Sequence, residues 1–210
     1  MINPFENVNG HRNETTCAYA LTNIYPMENH PFKVKDDEDM EALVESIRQY
    51  GVLNPIIVRK RTTGGGYEIV SGHRRYEACK RLNKFDIPVI VRDLTDEEAI
   101  LTMVDANRQR ERILPSEKAF AYKMKRDALS HQGKTSPQVG EKLLTVEKVG
   151  LDNGDSKNQV LRYIRLTELI PEILRMVDDG RIALTPAVEL SYLTKLEQRD
   201  LLETMESEDC

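Results

Sequence analysis

The chain contains no tryptophan, only three cysteines and four histidines, and aromatic residues make up 6% of its 210 positions. Cys17, Cys79 and Cys210 are far apart and form no CxxC pair. That excludes a disulfide framework and a cysteine-built zinc site. The histidines are equally scattered, so no cluster of side chains dedicated to a metal is expected. No apolar run approaches a membrane span, and the start, Met-Ile-Asn-Pro-Phe-Glu, lacks a basic stretch followed by an apolar core. A cytoplasmic location without a membrane partner is therefore the expectation. Internal repeats and low-complexity stretches are absent as well.

What is present is an ordered, helix-rich composition, 40% hydrophobic and 31% charged, long enough for one large domain or two small ones. The formal net charge of −5 argues against nucleic acid, but its distribution argues the other way. Between residues 107 and 133, Arg108, Arg110, Arg112, Lys118, Lys123, Lys125 and Arg126 outnumber Glu111, Glu117 and Asp127. Acid gathers instead at Asp36 to Glu45 and from Glu197 to Asp209. A chain polarised in this way can bind DNA with one face while staying acidic overall.

Residues 1–19 are polar and patternless and read as an arm. Asp36 to Asp39 suit a helix start, and Met40, Leu43, Val44 and Ile47 give a helical stripe that stops at Gly51. Ile56 to Arg59 and Tyr67 to Val70 read as a hairpin, Arg74 to Leu82 as a helix and Ile87 to Arg92 as a strand. Thr95 and Glu98 form a capping box that opens a helix through Met103. Beyond about Asn107 the strand signal vanishes. A long helix is expected from Pro115 to about His131, then 139–149, a turn over Leu151 to Asp155, and a helix opened by Ser156 and Gln159 and ending at Leu166. Further helices start at Pro171, Thr185 and Thr194. The expected organisation is an α/β domain over 20–106 and an all-α domain over 107–206, with the long helix after Pro115 as hinge.

Three places carry chemistry. Gly72-His73-Arg74-Arg75 follows a strand and opens a helix. The glycine allows close approach of backbone, the first helical N–H groups lack partners, and arginine supplies forked charge, a combination suited to phosphate. The same arginines could equally be solvated surface residues, and His73 a proton carrier, a phosphate donor or a turn residue. Asn107-Arg108-Gln109-Arg110-Glu111 mixes amide, guanidinium and carboxylate before a helix, which suits phosphates or hydrated Mg²⁺. The pair 139–149 and 156–166 resembles a helix-turn-helix. Ser156, Lys157, Asn158, Gln159, Arg162, Tyr163 and Arg165 on the second helix are donors suited to base edges and phosphates in a major groove. Ordinary solvated positions would look similar, and the expected turn is longer than usual.

Taken in order, these motifs resemble the ParB/RepB family of partition proteins. Leu43 to Val58, Tyr67 to Ala78 and Asn107 to Glu111, with Pro115 and Glu117 at the family's offsets, match its boxes, and Arg162 to Leu166 and Val177 to Ile182 continue the match. Coverage is roughly residues 24 to 195. The resemblance implies an α+β ParB/sulfiredoxin-like N-terminal domain followed by an all-α helix-turn-helix domain. It further implies binding to a specific centromere-like site in double-stranded DNA, CTP and Mg²⁺ as cofactors of a clamp switch, and a ParA-type ATPase as partner. Self-association and a nucleoid-associated location also follow, although the family's C-terminal dimerisation domain is not matched before Cys210. By motif, Gly72, His73, Arg74 and Arg75 would hold phosphates. Asn107 would meet the Mg²⁺-bound triphosphate beside Gln109, Arg110 and Glu111.

The departures bear on activity. His73 stands where the family usually has a glutamate, Ala106 where it has another, and Asp105 is one place off register. The arginine of the family's first box is missing, the nearest match being His30-Pro31-Phe32. Losing carboxylates that orient Mg²⁺ and water should impair hydrolysis more than binding, so at most a weak CTPase is expected and no residue is assigned as catalytic. Competing readings are a site-specific transcription or replication regulator without a segregation role and, further off, a nuclease or kinase on the same fold. The sulfiredoxin redox reading fails on residue type, since His73 occupies the reactive cysteine's place and Cys79 lies within the following helix.

Overall fold

The computed structural model describes residues 15–107, 113–131 and 139–208. They divide into two compact units. One comprises the chain through Glu28 together with Val34–Leu94, and the other Asn29–Lys33 with everything from Thr95 onward.

The first unit is α+β. Strands β1 (Thr16–Ala20), β2 (Ile24–Pro26), β3 (Ile56–Lys60), β4 (Tyr67–Ser71) and β5 (Asp86–Val91) form one sheet in the order β1-β5-β3-β4-β2. The expected hairpin is present as the antiparallel pair β3–β4. β5 lies parallel to β3 on its other side, and β1 and β2 close the two edges against β5 and β4. Strand β1 begins at Thr16, inside the stretch read from sequence as an arm. Thr-Cys-Ala-Tyr-Ala lacks the alternation that marks a half-buried strand, and its conformation comes from pairing with β5.

Helix α1 (Glu38–Tyr50) starts where its acids predict. The Asp37 side chain accepts the Met40 N–H at 3.0 Å, Glu38, Asp39 and Glu41 occupy the first turn, and Gly51 ends the helix. Its buried Met40 and Ile47, with Ala78 and Cys79 of α2 (His73–Arg81), cover a core of Ile24, Ile56, Val58, Ile69, Ile87 and Val89. Burial raises the Cys79 thiol above its ordinary range, which removes it further from redox chemistry.

The second unit is all α. It contains α3 (Asp96–Asn107), α4 (Pro115–His131), α5 (Val139–Asn153), α6 (Lys157–Arg165), α7 (Pro171–Asp178), α8 (Leu184–Leu190) and α9 (Lys195–Glu208). The Thr95 capping box forms as expected, Thr95 N–H donating to Glu98 and Glu98 N–H to the Thr95 hydroxyl. Thr194 and Glu197 repeat the device at α9. The segment 29–33 is tied to α4 through the buried Glu117 carboxylate, which accepts the Lys33 N–H at 2.7 Å and the Leu114 N–H at 3.0 Å. One apolar cluster joins Ala119, Leu166, Ile170, Ile173, Val177 and Ala187, and a second joins Tyr122, Val146, Val149, Val160 and Ile164. Among the described residues no helix is long and apolar enough to cross a membrane.

Two helices extend well past their expected ends. Helix α3 continues past Met103 to Asn107. Helix α5 continues past Val149 to Asn153, through the stretch read as a turn, so only Gly154, Asp155 and Ser156 separate α5 from α6. Leu-Asp-Asn-Gly-Asp has turn composition, but the turn is confined to its end, where Gly154 at φ +73° stops the helix and the Asp155 N–H donates to the Gly150 carbonyl at 3.0 Å.

Candidate nucleotide and nucleic-acid interfaces

The turn at the start of α2 is built by Gly72, whose φ of +106° belongs to the left-handed region and which caps the helix without a side-chain bond. A Cβ there would lie 2.6 Å from Cγ2 of the buried Ile56. The two arginines that follow diverge. Arg75 turns inward, its Nη1 donating to the Asn54 carbonyl at 2.5 Å and the Pro55 carbonyl at 2.7 Å, and burial lowers its ordinary pKa. It fastens the loop ahead of β3. Arg74 stays partly exposed, paired with Asp37 at 3.2 Å. Such an open pair is worth little by itself and can be exchanged for a phosphate. Of the residues expected to hold phosphates, Arg74 and the N-terminal amides of α2 thus offer the accessible donors.

Burial alone would raise the Asp37 carboxyl, but the Met40 N–H and the Arg74 guanidinium outweigh it and leave the group below its ordinary value. A depressed carboxylate stabilises the fold above its unfolded pKa, and the contribution is lost as pH falls through the folded one. Asp37→Asn retains a good cap. It is expected to flatten the fall in thermal midpoint between about pH 5 and pH 3, measured by circular dichroism.

Asn107 closes α3, and its amide nitrogen donates to the Met103 carbonyl at 2.9 Å, so the oxygen is the atom it can offer to a hard cation. Its expected neighbours Gln109, Arg110 and Glu111 lie outside the described residues. Asp105, the carboxylate nearest the family's missing glutamate, is held at 2.7 Å by Lys125 of α4, which also pairs with Asp152 of α5 at 3.0 Å. The Lys125 side chain is only 3% exposed. Sequence reasoning missed this three-helix tie because its partners are far apart in the chain. Among the described residues no group of three or more His, Cys, Asp or Glu side chains is placed to hold a metal.

The helix pair α5–α6 is compact. Ser156 caps α6 by accepting the Gln159 N–H at 3.2 Å. Val160 and Ile164 point into the core, while Asn158, Arg162 and Arg165, spaced four and three residues apart, share the opposite face. Lys157 pairs with Glu147 at 2.8 Å, and Gln159 is exposed. Arg162 donates to the Thr185 hydroxyl at 2.6 Å. Arg165 donates to the Ser191 hydroxyl at 3.0 Å and carbonyl at 2.7 Å and lies 4.2 Å over the Tyr192 ring. Tyr163 faces the other way, edge-on to Tyr122 of α4 with ring centroids 6.0 Å apart. Of the seven residues expected to meet DNA, Asn158, Gln159 and Arg162 thus lie on the open side, Ser156 is engaged in the cap, and Tyr163 packs against α4.

Comparison with known proteins gives a consistent picture. The ParB N-terminal domain family matches residues 6–108. The chain is 34% identical over 182 residues to the chromosome-partitioning protein Spo0J of Thermus thermophilus, covering 87% of this chain and 61% of that one. It is 37% identical over 173 residues to a nucleoid occlusion protein of Lysinibacillus sphaericus, covering 82% of this chain and 53% of that one. The chain spans only 61% and 53% of the length of these curated relatives. Its fold is similar to that of the C-terminally truncated chromosome-partitioning protein ParB from Caulobacter crescentus complexed to the centromeric parS site. There the TM-score is 0.51 and the identity 23%, over 90% of this chain and 99% of that chain. At that identity the likeness is one of fold.

Proposed function

We propose, from the premise that this chain belongs to the ParB family, that it is a sequence-specific DNA-binding partition protein whose hold on DNA is switched by CTP. The observation that carries the reading is the α5–α6 pair with its three-residue connection, from Gly154 to Ser156, and its open face of Asn158 and Arg162. Amides and guanidinium groups on the leading turns of a second helix suit base edges and phosphates in a major groove. For nucleotide, support comes from the α2 N-terminus with Arg74. CTP carrying Mg²⁺ would supply a charged triphosphate there. Arg74 and the α2 amides would bind its oxygens, while the cation role of Asn107 rests on the family motif alone. His73 and Ala106 supply no carboxylate at the two family positions, and Asp105 is engaged with Lys125, which supports binding with slow turnover. A cytoplasmic, nucleoid-associated location, self-association and a ParA-type ATPase as partner complete the proposal.

The test is anisotropy of a duplex carrying the parS site, with and without CTP and Mg²⁺, together with released phosphate. Tight site-dependent binding that changes with CTP, and turnover well below that of a family member carrying both glutamates, is the expected result. Comparable turnover would end the slow-hydrolysis part of the proposal, and equal affinity for any duplex would end the specific-DNA part. Arg162→Ala is expected to weaken site binding by about tenfold, in the range of one base or phosphate contact. The likeness to a nucleoid occlusion protein supports a second reading, site-specific DNA binding without segregation. Plasmid or chromosome loss in a deletion strain separates the two.

A further inference from the structure

The connection between α5 and α6 is held from beneath by charge. The Asp155 side chain is 12% exposed, yet it takes the Lys118 ammonium of α4 at 2.7 Å and the hydroxyl of Tyr122, four residues further along that helix, on the same oxygen. The Lys118 ammonium also lies 4.6 Å from the centre of the Tyr163 ring on α6. One cation of α4 therefore holds both the turn and the second helix. The Asp155 backbone is fixed too, its N–H donating to the Gly150 carbonyl at 3.0 Å. Burying an ion pair brings little net stability over an apolar contact of the same shape. What charge and hydrogen bonds add is direction, because a carboxylate that satisfies an ammonium and a phenol at once has few allowed positions.

We infer that Asp155 is a positioning residue for DNA reading: through Lys118 and Tyr122 it sets the angle at which α6 presents Asn158, Gln159 and Arg162. The inference rests on the DNA-binding reading proposed above and deepens it. Base-edge contacts require side chains placed to a fraction of an ångström, whereas phosphate contacts tolerate displacement. The knot therefore governs discrimination between sequences rather than overall hold on the duplex.

The experiment starts with wild-type protein and a random duplex library, from which bound sequences are enriched. The enriched duplex and a scrambled one are then titrated against wild type, Asp155→Asn and Tyr122→Phe at one salt concentration. Asp155→Asn keeps the shape and loses the charge, and Tyr122→Phe loses one donor to the same oxygen. The ratio of the two affinities should fall by about tenfold in Asp155→Asn, the equivalent of one base-edge contact, and by less in Tyr122→Phe. Affinity for the scrambled duplex and its salt dependence should stay at wild-type values. An unchanged ratio in both variants overturns the inference, and so does a parallel loss on both duplexes, which marks a merely structural role. If Asp155→Asn does not fold, Tyr122→Phe decides by the same ratio. Should wild type enrich no sequence, the DNA reading fails and the inference falls with it; that outcome is distinct from one in which wild type and variants discriminate equally.

Discussion

Alanine at Gly72 is expected to destabilise the α/β unit by about 3 kcal/mol, the sum of two separable costs. A side chain at φ +106° costs about 1–2 kcal/mol in backbone strain. The new Cβ would also meet Ile56 Cγ2 at 2.6 Å, and overpacking of this kind costs about 1–3 kcal/mol. Ile56 is fully buried in the central strand β3 and cannot swing away. The Arg75 Nη2, 3.1 Å from the same point, would be pushed from the carbonyls of Asn54 and Pro55. Urea unfolding checks the loss. The variant Gly72→Asn separates the two costs, because asparagine tolerates left-handed backbone better than alanine does. Equal losses for the two variants would assign the cost to packing, and a loss under about 1 kcal/mol for both would contradict the geometry.

Gly150→Ala is expected to reverse the sign that helix propensity assigns to it. Gly150 lies inside α5, where alanine normally gains about 1 kcal/mol over glycine. A Cβ at this position would lie 2.6 Å from the backbone oxygen of Asp155, which no side-chain rotation can relieve. An overpacking cost of about 1–3 kcal/mol outweighs the propensity gain and forces α6 away from α5. The variant should therefore unfold at lower temperature and bind an enriched duplex at least about tenfold more weakly, the worth of one misplaced base contact. A stabilised variant with undiminished DNA affinity would show that the two helices approach less closely than this contact requires.

Both glycines illustrate how much of the site was legible. Gly72 was identified from its place between a strand and a basic helix start, and the structure shows there a left-handed backbone that glycine adopts freely. Gly150 carried no signal, because in sequence it is merely a weak helix former near an expected helix end. The same contrast separates Arg74 from Arg75. They are adjacent and chemically identical, yet one faces Asp37 at the surface and the other is inserted beneath the loop at Asn54 and Pro55. On α6 the i, i+4 spacing of Val160 and Ile164 matches the buried face, but the turn of Tyr163 toward Tyr122 depends on a ring supplied by α4.

Local rules were sufficient wherever the cause was local. The helix starts at Asp37, Thr95, Ser156 and Thr194 follow from side chains that bond N–H groups three residues away. The hairpin β3–β4 and the change from α+β to all-α likewise follow from residue periodicity, and the ordered motifs resembled the family whose domain matches residues 6–108. Tertiary structure alone decided the edge position of β1, the inward turn of Arg75, and the ties Asp105–Lys125–Asp152 and Lys118–Tyr122–Asp155. Each of these depends on a partner distant in the chain, whose approach is set by packing of whole elements, so no window of sequence contains both halves of the interaction.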